Sequence, residues 1–98
     1  MKINLQSLHF KASDQLKEFV EEKVSKLSQV NGDILSAEVT LVANDIKIKN
    51  NKVCEIRLVV PGYDNFVKKK AESFEEAILE AVDTLQEVLK RKKDKHQI

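Results

Sequence analysis

Ninety-eight residues, 42% of them hydrophobic and 34% charged, are enough for one small domain and too few for two. Two Gly, one Pro and abundant Val, Ile and Leu exclude a disordered tail or linker, and no apolar run approaches the ~18 residues of a membrane span. Seventeen Lys and Arg against sixteen Asp and Glu leave a net charge of +1, a balance that at first sight argues against a nucleic-acid partner. The one cysteine, Cys54, cannot form an internal disulfide, and no hydrophobic stretch near the N-terminus resembles a secretory signal. Both features fit a reducing cytoplasm.

The opening segment from Lys2 to Ser7 alternates apolar and polar, the period of a half-buried strand. Leu8 and Phe10 break that phase and predict a bulge or strand end near Ser7. Ser13 or Asp14 can then cap a helix whose Leu16, Phe19, Val20, Val24 and Leu27 share one face. Asn31-Gly32 is its predicted stop, because both residues tolerate the left-handed conformation that commonly ends helices. Ala37, Val39, Leu41 and Ala43 recur at period two and predict a second strand, followed by a polar stretch over residues 44–52 that is long for a tight hairpin. A third strand places Cys54, Ile56, Leu58 and Val60 on one side, with Glu55 and Arg57 on the other. Pro61-Gly62 suits the centre of a type II turn, so the chain reverses into a fourth strand near residues 65–70. Ser73-Phe74-Glu75-Glu76 reads as a capping box. The long helix it opens carries Phe74, Ala77, Ile78, Ala81, Val82, Leu85, Val88 and Leu89 as one continuous apolar stripe.

The element order β-α-β-β-β-α sets the fold class. Two amphipathic helices are the only elements able to cover one face of a four-stranded sheet. Strands one and two, separated by a helix, run parallel through a right-handed crossover if they are neighbours, and the later short connections make antiparallel pairs. The expected architecture is an α+β two-layer sandwich with a mixed sheet, two helices packed on one face and the other face open. Residues 1–98 form one domain with a basic helix end and tail over residues 90–98.

The charges are unevenly distributed. Residues 90–98 hold Lys90, Arg91, Lys92, Lys93 and Lys95 against Asp94 alone, a net +4, while the rest of the chain carries twelve cations against fifteen carboxylates, a net −3. Such a cluster can neutralise a few phosphates, and it also complements the dipole at a helix C-terminus. On the first helix, Lys23 falls inside the apolar arc and Lys26 on its border. Lys23 therefore either snorkels at a helix margin or presents its cation to the same ligand as the second helix. Lys68-Lys69-Lys70 alternates faces along a strand; these lysines block strand addition or contact RNA. The outer surface of the long helix, with Glu76, Glu80, Asp83 and Glu87, cannot lie against phosphate.

Catalysis finds no support. His9 and His96 are far apart, no Cys/His spacing suggests a metal site, and Cys54 reads as a core residue. No glycine-rich phosphate loop or nucleophile elbow occurs. The expectation is no enzyme, no cofactor and no metal. The four Phe fall mostly on core faces and Tyr63 in a turn, so no platform for stacking a single strand is expected.

The order β-α-β-β-β-α, the segment from Ser13 to Leu27 and the ending Leu89-Lys90-Arg91-Lys92-Lys93-Asp94-Lys95 together resemble the bacterial ribosome hibernation factors. This family includes the ribosome-associated inhibitor and the short hibernation-promoting factor, and is also known as sigma factor modulation proteins. The likeness covers nearly the whole chain. Its best local match is the first helix, where a leucine and an aromatic-valine pair precede two basic residues three apart and a further leucine; Lys23 and Lys26 stand at the basic positions. The resemblance implies binding to the small ribosomal subunit in the channel for messenger and transfer RNA. It gives Lys23, Lys26, Lys90, Arg91, Lys92, Lys93 and Lys95 the role of contacting ribosomal RNA phosphates. It implies translation inhibition in stress or stationary phase, a cytoplasmic location and a monomer off the ribosome. The start of the second helix departs from the family pattern in lacking a tyrosine and a second aspartate, and Thr84 and Glu87 replace basic residues. Only the last turns of that helix are therefore expected to touch RNA. The chain ends after this helix and so resembles the short type, without a dimerisation domain. Two other readings remain open: a protein-interaction module using the open sheet face, and a general double-stranded-RNA-binding module.

Overall fold

A computed structural model describes residues 1–44 and 47–96, apart from the side chains at positions 63 and 92–96. The first strand, β1 (Lys2–Leu8), alternates as its sequence does, with Ile3, Leu5 and Ser7 half-buried and the intervening residues exposed. Its pairing with the next strand runs without a bulge to Leu8. The phase breaks one residue later, where His9 adopts a left-handed φ of 70°. That turn delivers Phe10 to the core side, stacked on Phe74 with ring centroids 4.4 Å apart.

Helix α1 (Asp14–Ser25) begins where the Ser13 hydroxyl accepts a hydrogen bond from the Leu16 N–H at 3.1 Å. The sequence predicts one helix through Leu27, but the helix breaks at Lys26 and a single turn, α2 (Leu27–Val30), follows. The Ser25 hydroxyl donates to the Glu22 carbonyl at 3.0 Å and the Ser28 hydroxyl to the Ser25 carbonyl at 2.7 Å. Such bonds back to the preceding turn bend helices. The stop also differs in mechanism from the expectation. Asn31 is extended, at φ −143° and ψ 109°. Its N–H donates to the Leu27 carbonyl at 3.1 Å to close the turn, and its Oδ1 accepts from the Asp33 N–H at 2.8 Å, a local bond that mimics a backbone turn and directs the chain onward.

Strands β2 (Ser36–Ala43), β3 (Lys52–Val60) and β4 (Tyr63–Ala71) complete a sheet of order β1-β2-β3-β4. β1 and β2 are parallel and the other pairs antiparallel. The two-residue reversal at Pro61-Gly62 pairs Val60 with Tyr63. Gly62 sits at φ 89°, the positive torsion that a type II turn requires. Helix α3 (Phe74–His96) starts with the Ser73 hydroxyl accepting from the Glu76 N–H at 3.1 Å. The reciprocal bond of a capping box, from the Ser73 N–H to the Glu76 carboxylate, does not form among the described residues.

All three helices pack on one face of the sheet. Val20, Val24 and Leu27 meet Val39, Leu41, Ile56 and Leu58 beneath them, and Ile78, Leu85 and Leu89 close the core from α3. Most of these side chains are under 2% exposed, so truncating a leucine among them costs about 2–5 kcal/mol. The expected two-layer α+β sandwich is the observed fold. The order of strands also sets helix direction. β1, β2 and β4 run one way and β3 the other, so α1, after β1, and α3, after β4, both return antiparallel to those strands. The two long helices are therefore parallel to each other. Their N-termini lie at one end of the molecule, where Ser13, Leu16, Phe19 and Glu75 line a common groove, and their C-termini at the other, where α2 packs on α3. The radius of gyration, 13.7 Å, exceeds the ~12.6 Å of a compact chain of this length. The long axis reaches 48 Å.

Candidate nucleic-acid interface

The cationic end is built by the last turns of the two parallel helices. Lys23 lies in the last turn of α1 and is half-buried. Its Nζ stands 5.5 Å from the Phe19 ring centroid and 3.7 Å from the Glu22 carboxylate. The lysine that falls inside the apolar arc is thus accommodated by running its stem along an aromatic ring and its ammonium to the surface. Lys26, at the junction of α1 and α2, is exposed. On α3, Leu89 is the last core side chain, and Lys90 and Arg91 after it are exposed. The helix backbone continues to His96, while the side chains of Lys92, Lys93 and Lys95 lie outside the described residues. Lys23 and Lys26 thus lie at the C-terminal end of α1, and Lys90 and Arg91 toward the C-terminal end of the parallel but longer α3. Glu76, Glu80, Asp83 and Glu87 are all exposed along α3, so the helix presents carboxylates over most of its length and cations only past Leu89.

Cys54 sits beneath the helices, fully buried, and burial pushes its thiol up to about 12 from 9.0, with Glu55 adding a smaller repulsion. A thiol held in that state is not a nucleophile near neutral pH. Among the described residues no group of three His, Cys, Asp or Glu side chains could hold a metal ion, and no helix is long and apolar enough to cross a membrane.

The open face of the sheet carries the one Phe of the four that lies off the core. Phe66 does not face the core; it is 57% exposed on the uncovered side. Its cross-strand partner is Arg57, whose guanidinium carbon lies 6.0 Å from the ring centroid. The two side chains, with Glu38, Thr40 and Glu55, line a shallow depression of about 240 Å³. Lys68 and Lys70 follow on the same face, exposed, while Lys69 points to the other side and is half-buried. The signal for Phe66 is present in the sequence: a two-residue reversal at Pro61-Gly62 fixes the register, and counting from core-facing Val60 puts positions 65 and 67 inward and 64, 66, 68 and 70 outward.

The arrangement defines a two-layer α+β domain whose two long helices run parallel and each carry exposed cations toward their C-terminal ends. The chain belongs to the family of sigma 54 modulation protein / S30EA ribosomal protein, whose model matches residues 3–97. Among solved structures it is similar to the N-terminal domain of Protein Y from Thermus thermophilus, at 26% identity over 93% of this chain and 98% of that one, with a TM-score of 0.78. It also shares the fold of a ribosomal subunit interface protein from Coxiella burnetii, at 20% identity over 99% of this chain and 98% of that one, with a TM-score of 0.73. No curated protein sequence matches the chain.

Proposed function

We infer that this protein is a ribosome-associated, non-enzymatic factor of the hibernation type, which binds the small ribosomal subunit in the channel for messenger and transfer RNA and blocks both. The observation that carries this reading is membership of the S30EA ribosomal protein family across residues 3–97. The exposed Lys26, Lys90 and Arg91 and the half-buried Lys23 toward the C-terminal ends of α1 and α3 support it. In this reading Lys23, Lys26, Lys90, Arg91, Lys92, Lys93 and Lys95 contact ribosomal RNA phosphates. Phosphate contacts position a protein without reading sequence, and the bulk of the domain then excludes the natural ligands. Inhibition is competition by occupancy, in the cytoplasm, and the protein off the ribosome is a monomer.

Co-sedimentation with purified small subunits at low salt and adequate magnesium tests the reading. The wild-type chain migrates with the subunit. A double Lys23→Glu, Lys26→Glu variant, or neutralisation of residues 90–93, reduces the bound fraction at least tenfold with the far-ultraviolet circular dichroism unchanged. Absence of wild-type co-migration overturns the function. Binding that survives both sets of changes overturns the surface assignment alone.

A further inference from the structure

The uncovered side of the sheet has its own chemistry. Alternation along β4 sets Phe66, Lys68 and Lys70 in a line on the open face, all three exposed, with successive members about 6.6 Å apart. β4 is an edge of the sheet, so this line borders solvent on its outer side. Arg57 stands beside the ring from β3. Among the described residues no carboxylate lies within 4 Å of Lys68, Lys70 or Arg57. Glu55 opposes Lys68 in the register, Glu38 opposes Arg57, and the exposed Asp64 precedes Phe66 on the same face of β4, so an anion is favoured only past the ring, along Lys68 and Lys70.

We propose that this line docks a short segment of single-stranded RNA, one base stacking against Phe66 and Arg57 and the neighbouring phosphates lying at Lys68 and Lys70. A flat ring beside a row of cations is the combination by which single strands are held, since every base offers a π-face and the backbone tracks the charge. A duplex cannot use the site, because its bases are already stacked. A protein partner fits the patch less well. Stable protein interfaces bury roughly 800 Å² per partner around an apolar centre, whereas here one exposed ring is surrounded by charges. The choice of RNA over DNA rests on the ribosomal role proposed above; the stacking and phosphate contacts do not depend on it.

The test uses the full chain, labelled with nitrogen-15, titrated with a nine-residue oligouridylate at low salt and followed by amide chemical shifts. The largest shifts fall at Arg57 and over residues 66–70, and they persist when residues 90–93 are neutralised. Phe66→Ala, at an exposed position and therefore folded, weakens binding about 5- to 100-fold, the range for loss of one base stack. Lys68→Gln with Lys70→Gln weakens it further and reduces its salt dependence. Shifts confined to Lys23, Lys26 and residues 90–96, or an unchanged affinity in Phe66→Ala, overturn the proposal. No shifts on β3 and β4 at millimolar oligonucleotide also overturn it and leave the open face to a protein. Since no ribosome is present in this titration, its failure leaves co-sedimentation through the helix ends standing, and the reverse also holds.

Discussion

Lys23 shows how loosely a cation can be held at the margin of a hydrophobic face. Its contact with the Phe19 ring stabilises by about 0.5–1 kcal/mol at a partly exposed site, and its pairing with Glu22 at 3.7 Å adds about 0–1 kcal/mol. Both are small beside a charge-assisted bond to phosphate, so the ammonium can exchange partners without disturbing the helix. Cys54 is the opposite case. The unfolded thiol ionises at its ordinary 9.0, while the folded one keeps its proton to about 12. Stability from this group is complete below pH 9 and falls as pH rises through that window, by roughly 1.4 kcal/mol per pH unit. Urea melts at stepped alkaline pH should therefore show a steeper loss in wild type than in Cys54→Ala. A thiol reagent at pH 8 should label Cys54 only once denaturant is added. Rapid labelling of the native protein would contradict the burial.

At the scale of elements, the helix starts are the parts most dependent on single side chains. Ser13 and Ser73 each satisfy an otherwise unpaired N–H, at Leu16 and Glu76. Replacing either by alanine should destabilise the fold by about 1 kcal/mol, seen as a melting temperature lower by roughly 4–8 °C for a chain of this size. Ser13→Asp should retain most of it. These starts were legible in the sequence because a cap is a local signal, and so was the reversal at Pro61-Gly62. The break at Lys26 was not legible. It depends on hydroxyls of Ser25 and Ser28 choosing backbone carbonyls, a choice that composition and periodicity do not encode. The extended Asn31 is not legible for a related reason: asparagine can follow a helix in the left-handed or the extended conformation, and here the bond from the Asp33 N–H to its Oδ1 accompanies the extended one. The direction of Phe66 is legible by counting from the turn, since Val60 faces the core and pairs with Tyr63.

For the whole molecule, the division of charge matters more than its sum. The net +1 conceals a +4 segment over residues 90–98 and a −3 remainder. The sequence exposes that division, but not that α1, which carries Lys23 and Lys26 some sixty-five residues earlier, runs parallel to α3. If four of these cations each neutralise a phosphate, the logarithm of the association constant should fall against the logarithm of salt with a slope of about −3 to −4. Measuring subunit binding between low and moderate salt checks this. Neutralising residues 90–93 should flatten the line, and a slope near zero in wild type would show that the contacts are not ionic.

The place of the positive segment, at the far end of α3, also bears on how the molecule would meet a polyanion. A chain 48 Å long with its positive segment at one end and a negative body behind has little monopole and a large electric moment. In the field of a polyanion such an object is drawn forward weakly but feels a torque. Such a torque would turn the end of α3 toward the polyanion. The moment follows the +4 segment at the end of α3, so neutralising residues 90–93 would remove most of the torque.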